Sequence, residues 1–217
     1  MIETGIKFGN IHSFNDLNMI LSKVEISPAS PKTTYIDIPG GDGSIDLTEA
    51  HGEIRYSDRT IKIILSMLPS DSKTWAEKQT EISNALNGRY FDRITLEKDA
   101  DFYYSGRCTV SDYAEDGKDR QISISAKVRP YKMRQNETVL KVNLSTAEHT
   151  ITLQNSRKSV IPDIVCTGNA AIVFKGNTFT IGEGAFRFLD ILLVEGANIM
   201  TVSGSGTLTF TYREGDL

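Results

Sequence analysis

The sequence predicts a mainly β protein of the α+β class. An N-terminal antiparallel β domain carries one amphipathic helix and a projecting hairpin, and a C-terminal β-sandwich follows it. Three observations predict this. Apolar and polar residues alternate along most of the chain, and side chains on a strand point to opposite faces in turn. One stretch alone follows a helical period instead. The character of the chain changes once, near residue 130.

Taken in order, the first alternating runs are Ile36/Ile38 and Ile45/Leu47. They flank Pro39-Gly40-Gly41-Asp42-Gly43. Glycines permit a sharp turn and the acid keeps the tip wet. One reading is an ordinary surface hairpin. The other is an arm projecting over residues 28–48, its isoleucines covered by another subunit, because an isolated two-stranded hairpin is only marginally stable in water. Ile61, Ile63, Leu65 and Met67 form the first long strand. Residues 72–87 form the helix: Trp75, Gln79, Ile82 and Leu86 share one face at 3.6 residues per turn. Ser70, Asp71 or Ser72 is placed to cap its start, and Gly88 stands where a helix ends. Ile94/Leu96 and the aromatic-rich run from Phe102 to Tyr113 are further strands. Asp116-Gly117 marks a hairpin, two residues long or somewhat longer given the polar Glu115, Lys118 and Asp119. Ile122, Ile124, Ala126 and Val128 complete the first domain.

A boundary falls at Arg129-Pro130-Tyr131, since proline cannot donate to a central ladder and often marks an exit. This predicts domains 1–130 and 131–217. The first holds 16 basic and 20 acidic residues and the second eight of each, so the first carries the whole net charge of −4. In the second, Ile151/Leu153 and Leu208/Phe210/Tyr212 are strands. Gly176-Asn177 reads as a turn between AIVF and TFTI, and Gly204 and Gly206 as a turn or bulge before the last strand. No helical pattern interrupts them.

At 217 residues the chain can bury a core without staples. Its mild acidity argues against a general nucleic-acid binder. It holds no apolar run long enough to span a membrane. Glu3 and Gly5 stand where a signal peptide needs an apolar core, and two cysteines are too few for a disulfide framework. The expectation is a soluble protein folded in a reducing cytoplasm.

Residues with catalytic potential are scattered. His12, His51 and His149 lie far apart, with no HExxH. Cys108 and Cys166 lack the spacing of a zinc site, and no G-x-S-x-G is present. Asp99 and Asp101 read better as a solvated turn than as paired glycosidase carboxylates. Asp112, Glu115, Asp116 and Asp119 do not fit a calcium loop. Gly40-Gly41-Asp42-Gly43 lacks the Lys-Ser/Thr of a phosphate loop. Phe102, Tyr103 and Tyr104 read better as cross-strand packing than as a stacking platform. The sequence therefore predicts no enzyme, no metal and no cofactor.

The order of segments resembles the distal tail protein family of long non-contractile-tailed (siphovirus-type) bacteriophages and prophages, over essentially the whole chain. The resemblance rests on GIKFGNIHSFNDL (5–17), YIDIPGGDGSIDLTE (35–49, the most specific), YSDRTIKIILSM (56–67) and the Trp75 helix with ISNALNG (82–88). FYYSGRCTV (102–110), ISISAKVRPYK (122–132), IPDIVCTGNA (161–170) and the closing YREGDL continue it. It implies a virion structural protein of the tail tip, assembled in the bacterial host cytoplasm. Its N-terminal domains form a homohexamer ring in the baseplate, and its C-terminal sandwich is galectin-like. The implied partners are other copies of itself, the tail tube protein, the tail-associated hub or lysin and a receptor-binding protein. DNA passes through the bore without specific binding, which predicts an acidic or mixed bore wall. A closed ring needs a heterologous interface. The candidate residues for it are Ile36, Ile38, Pro39, Gly40, Gly41, Asp42, Gly43, Ile45 and Leu47. The alternative function is a carbohydrate- or surface-binding sandwich module, which the absence of tryptophan beyond residue 130 weakens.

Overall fold

The computed structural model describes residues 5–50, 52–117 and 119–217; Glu3, His51 and Lys118 lie outside them. The chain divides into two compact units at Lys132/Met133.

The first unit contains β1 (Ile6–Phe8), β2 (Ile11–His12), β3 (Met19–Ile26), β4 (Tyr35–Asp37), β5 (Ser44–Asp46) and β6 (Arg59–Met67). The helix α1 (Trp75–Leu86), β7 (Tyr90–Leu96), β8 (Phe102–Asp116) and β9 (Asp119–Val128) follow. Seven strands follow one path through a nine-stranded sheet, in the order β2-β1-β7-β8-β9-β6-β3, antiparallel at every step. The alternation sorts its faces. Ile61, Ile63 and Leu65 of β6 and Ile122, Ile124 and Ala126 of β9 are buried. They share one core with Phe8, Ile94, and Ile82 and Leu86 of α1. Burying such side chains, at about 1.5–3 kcal/mol each, drives the helix onto the sheet. The β8–β9 ladder runs to Asp116↔Asp119, so the connection is two residues, the shorter of the lengths considered.

The helix starts later than residue 72, and its cap is neither Ser70, Asp71 nor Ser72. Thr74 caps it: its Oγ1 accepts from the Glu77 N–H at 3.3 Å, and Glu77 Oε2 accepts from the Thr74 N–H at 2.8 Å. This reciprocal pair satisfies two otherwise orphaned donors. Asp71 is engaged elsewhere. The buried helical face carries Lys78 beside Ile82 and Leu86, while Gln79 is only half-buried. Lys78 is 0% exposed. Its Nζ donates to Leu17 O at 2.8 Å and Glu81 Oε2 at 2.8 Å, and lies 2.5 Å from Asp71 Oδ2. Burial opposes ionisation of Asp71, but the hydrogen bonds from Lys78 and the Lys73 N–H, with both lysine charges, hold its carboxyl below the usual range. A buried charge persists only when paired this fully.

The second unit contains β11 (Thr138–Asn143), β12 (His149–Asn155), β13 (Asp163–Cys166), β14 (Asn169–Phe174), β15 (Asn177–Ile181), β16 (Gly184–Phe186), β17 (Gly196–Ser205) and β18 (Thr207–Tyr212). Two short strands flank it in sequence, β10 (Lys132–Arg134) and β19 (Gly215–Asp216), and they pair with each other. Two four-stranded sheets, β11-β18-β13-β16 and β12-β17-β14-β15, make the sandwich. Ile164, Cys166, Leu208 and Phe210 from one and Leu153, Ile172, Met200 and Val202 from the other fill one core.

Two turns differ from or refine the expectation. The pairing Phe174↔Asn177 puts Asn177 in the strand and makes Lys175-Gly176 the turn. Both have positive φ, 47° and 82°, the backbone that suits the twist of a tight hairpin. Gly204 has φ 141°, and a Cβ there would lie 2.0 Å from Asn169 O, so only glycine lets β17 approach β14. The closing YREGDL segment is a strap. Arg213 donates to Arg134 O and Gln135 O and pairs with Glu137 at 3.0 Å. Glu214 accepts from Thr138 at 2.6 Å and Ser156 at 2.7 Å. The last residues of the unit thus fasten its first ones.

Candidate assembly interface

The connection from β3 to β6 is an arm. The β3–β6 ladder ends at Ile26↔Ile61. Hydrogen bonds from Ser27 N to Thr60 O, Ser57 N to Ser30 O and Lys32 N to Arg55 O carry the ribbon onward. At its far end β4 and β5 pair as a two-stranded sheet of their own, with Tyr35↔Asp46, Ile36↔Ile45 and Asp37↔Ser44 in register.

That register makes the arm amphipathic. Ile36 and Ile45 are directly opposite on one face, and strand alternation puts Tyr35, Asp37, Ser44 and Asp46 on the other. Ile36, Ile38, Ile45 and Leu47 are 52%, 42%, 53% and 36% exposed, and Tyr35 57%. The tip turns on Gly40 and Gly43, with φ 73° and 81°, and Gly41 N donates to Ile38 O at 3.1 Å. Pro39 and Asp42 complete the exposed tip. Hydrogen bonds from the Thr48 hydroxyl and N–H hold the Asp46 carboxyl below its usual range. Between Tyr35 and Glu49 the arm has four acids, Asp37, Asp42, Asp46 and Glu49, and no base. It is an apolar ribbon with an anionic back.

The residues weighed for chemistry are placed apart. His12 Nδ1 accepts the N–H groups of Phe14 and Asn15, so the proton sits on Nε2, which donates to Glu97 Oε1 at 2.9 Å. Its ring fastens the β1–β2 corner. His149 meets Ser145 on the surface of the other unit. Asp99 pairs with Lys132 at 2.9 Å, while Asp101 is exposed. Burial pushes the Cys108 thiol up to about 12, which removes the thiolate needed for reactivity. The three consecutive aromatics each carry a cation: Lys132 over Phe102, Arg93 over Tyr103 and Arg59 over Tyr104, at 4.1, 5.0 and 5.3 Å. Tyr212 is buried and donates its hydroxyl to Gln154 O, so it offers no ring to a sugar. Phe179, Phe186 and Phe188 form an aromatic cluster in the second unit that sequence spacing did not single out. Among the described residues no three His, Cys, Asp or Glu side chains are grouped to hold a metal, and no helix is long and apolar enough to cross a membrane.

No protein-family model and no curated protein sequence matches the chain. Among solved structures it is similar to the SPP1 Dit protein (gp 19.1), described as a paradigm of the hub adsorption apparatus in phages infecting Gram-positive bacteria. The TM-score is 0.67 at 14% identity, over 98% of this chain and 99% of that one. The likeness shows that the two chains share a fold from end to end.

Proposed function

We propose that this chain is a structural hub at the distal end of a phage or prophage tail, its first unit closing with other copies into a homohexameric ring. The observation that carries the reading is the end-to-end fold shared with SPP1 Dit, in a chain whose catalytic candidates stand apart. The ring joins the tail tube to the hub or lysin and the receptor-binding proteins. DNA passes its bore, and the second unit is a galectin-like sandwich.

The arm supplies the ring contact. Its four aliphatic side chains are about half exposed. Covering the remainder stabilises by roughly 1 kcal/mol each, about 4 kcal/mol per contact. One patch then meets a different patch on the next copy, as a closed ring requires. The test is light scattering and negative-stain microscopy of the purified protein beside an Ile38→Asp/Leu47→Asp variant. Sixfold rings that the variant fails to form are expected. Unchanged oligomer mass in the variant would sink the role of the arm.

A further inference from the structure

The face on which the arm lands follows from the cross-strand register. One row across the main sheet reads Tyr90↔Arg107↔Lys127↔Thr60, and the next reads Thr109↔Ser125↔Lys62↔Glu25. A third contains Ser123↔Ile64↔Lys23. All of these point away from the core, because the alternate residues Cys108, Ala126, Ile61 and Ile63 are the buried ones. Arg107, Lys127, Lys62 and Lys23 therefore form a diagonal cationic stripe on the open face of a unit that is net negative. Glu25 and Asp58 offset part of it, at 2.6 Å from Lys23 and 3.7 Å from Lys127, and Asp112 lies beyond Ser123.

The face is also hollow. Beyond Lys127, β9 presents the short side chains of Ser125 and Ser123, while Ile64, Lys62 and Lys23 stand taller beside them. The result is a trough of about 270 Å³ with Ile64 in its wall.

We infer that this trough receives the arm of a second copy. Ile36 and Ile45 lie along Ile64 and the serines. The Lys23 and Lys62 stems run past the edges of the ribbon and bring their ammonium groups to Asp37 and Asp46 on its anionic back. Asp37 and Asp46 of the arm thus meet the two lysines that line the trough, Lys23 and Lys62. Such complementarity selects the heterologous pairing and rejects arm against arm. This inference rests on the ring reading above and names the surface that the arm meets.

Charge reversal tests it in the full-length protein. Lys23→Glu/Lys62→Glu makes the face acidic, and Asp37→Lys/Asp46→Lys makes the arm basic. Each variant alone is expected to sediment as monomer. A one-to-one mixture restores the oligomer, because each arm then meets an opposite face. Circular dichroism confirms that each variant is folded. Wild-type mass for the face variant, or no recovery on mixing, overturns the inference. If Ile38→Asp/Leu47→Asp abolishes assembly while the face variant assembles, the arm docks elsewhere and the ring reading stands. If neither changes the mass of an oligomer that the wild type forms, the arm has no part in assembly and the inference falls; a wild type that forms no oligomer overturns the ring reading itself. Unchanged mass together with loss of salt-sensitive binding to duplex DNA assigns the stripe to phosphate instead.

Discussion

Removing the Lys78 ammonium tests how the helix is held. Lys78→Met keeps most of the stem but leaves Asp71, whose side chain is 2% exposed, with only the Lys73 N–H at 2.9 Å. Leu17 O also loses its donor. Breaking a buried ion pair from one side costs about 3–5 kcal/mol. Glu81 is a quarter exposed and retains Lys73 at 2.6 Å, so the lower end, about 3 kcal/mol, applies. For a unit of this size that lowers the melting temperature by about 10 °C. Trp75, the sole tryptophan, lies one turn from Lys78 and reports the unfolding of its own unit by fluorescence in urea. Adding Asp71→Leu removes the stranded carboxylate and recovers most of the loss. A pH series supplies a further check. Burial opposes ionisation of Asp71 and Glu81, yet their lysine partners hold both carboxyls low. Their contribution is therefore full above the ordinary carboxylate pKa of about 4 and is lost as pH falls through the lower folded values. The variant should show a shallower acid loss than the wild type. A loss below about 1 kcal/mol for Lys78→Met, or a double variant no more stable than the single one, would refute the reasoning.

Other outcomes follow from single positions. Gly204→Ala should destabilise the second unit by at least about 2 kcal/mol, because φ 141° and a 2.0 Å approach to Asn169 O leave a methyl nowhere to go; calorimetry should show the loss in that unit's transition alone. Gly106→Ala places a Cβ 2.2 Å from Lys127 O, and amide exchange along β8 and β9 should quicken. Ellman's reagent should find no reactive thiol in the native protein at pH 8 and two after denaturation, since Cys108 and Cys166 are both buried. Burial, with the charge of Glu214, pushes Tyr212 up to about 12, so Tyr212→Phe should reduce the tyrosinate absorbance gained at the alkaline end of a pH titration, while Tyr104, which burial also raises, keeps part of it.

How far these features are legible in sequence depends on the range of the signal. β6, β9 and β18 are visible because one face is fully apolar and the other polar, a local signal with period two. The helix is visible for the same reason at 3.6, but Lys78 is not: a lysine on the buried face has no apolar signature, and its partners Asp71 and Leu17 come from outside the helix. Thr74 was within reach of sequence reasoning, since Glu77 stands three residues on, yet Asp71 and the serines offered equally good cap chemistry. In the arm, alternation identifies the apolar face but not that it lies open, because exposure depends on what the rest of the fold leaves uncovered. The cationic stripe is the least legible feature. Lys23, Lys62, Arg107 and Lys127 come from four strands, and only the register aligns them.

The strap at the end of the chain bears on synthesis. β11 pairs with β18, and Arg213 and Glu214 grip residues 134–138, so the second unit is closed by residues translated well after its first strand. The seven strands and helix of the first unit's sheet are all encoded before residue 129. During translation the first unit can fold while the second waits, open, for its final strand, in keeping with the vectorial order in which domains form. A chain that ended before β18 would therefore carry a finished first unit and an unclosed sandwich, its apolar interior displayed to chaperones and proteases.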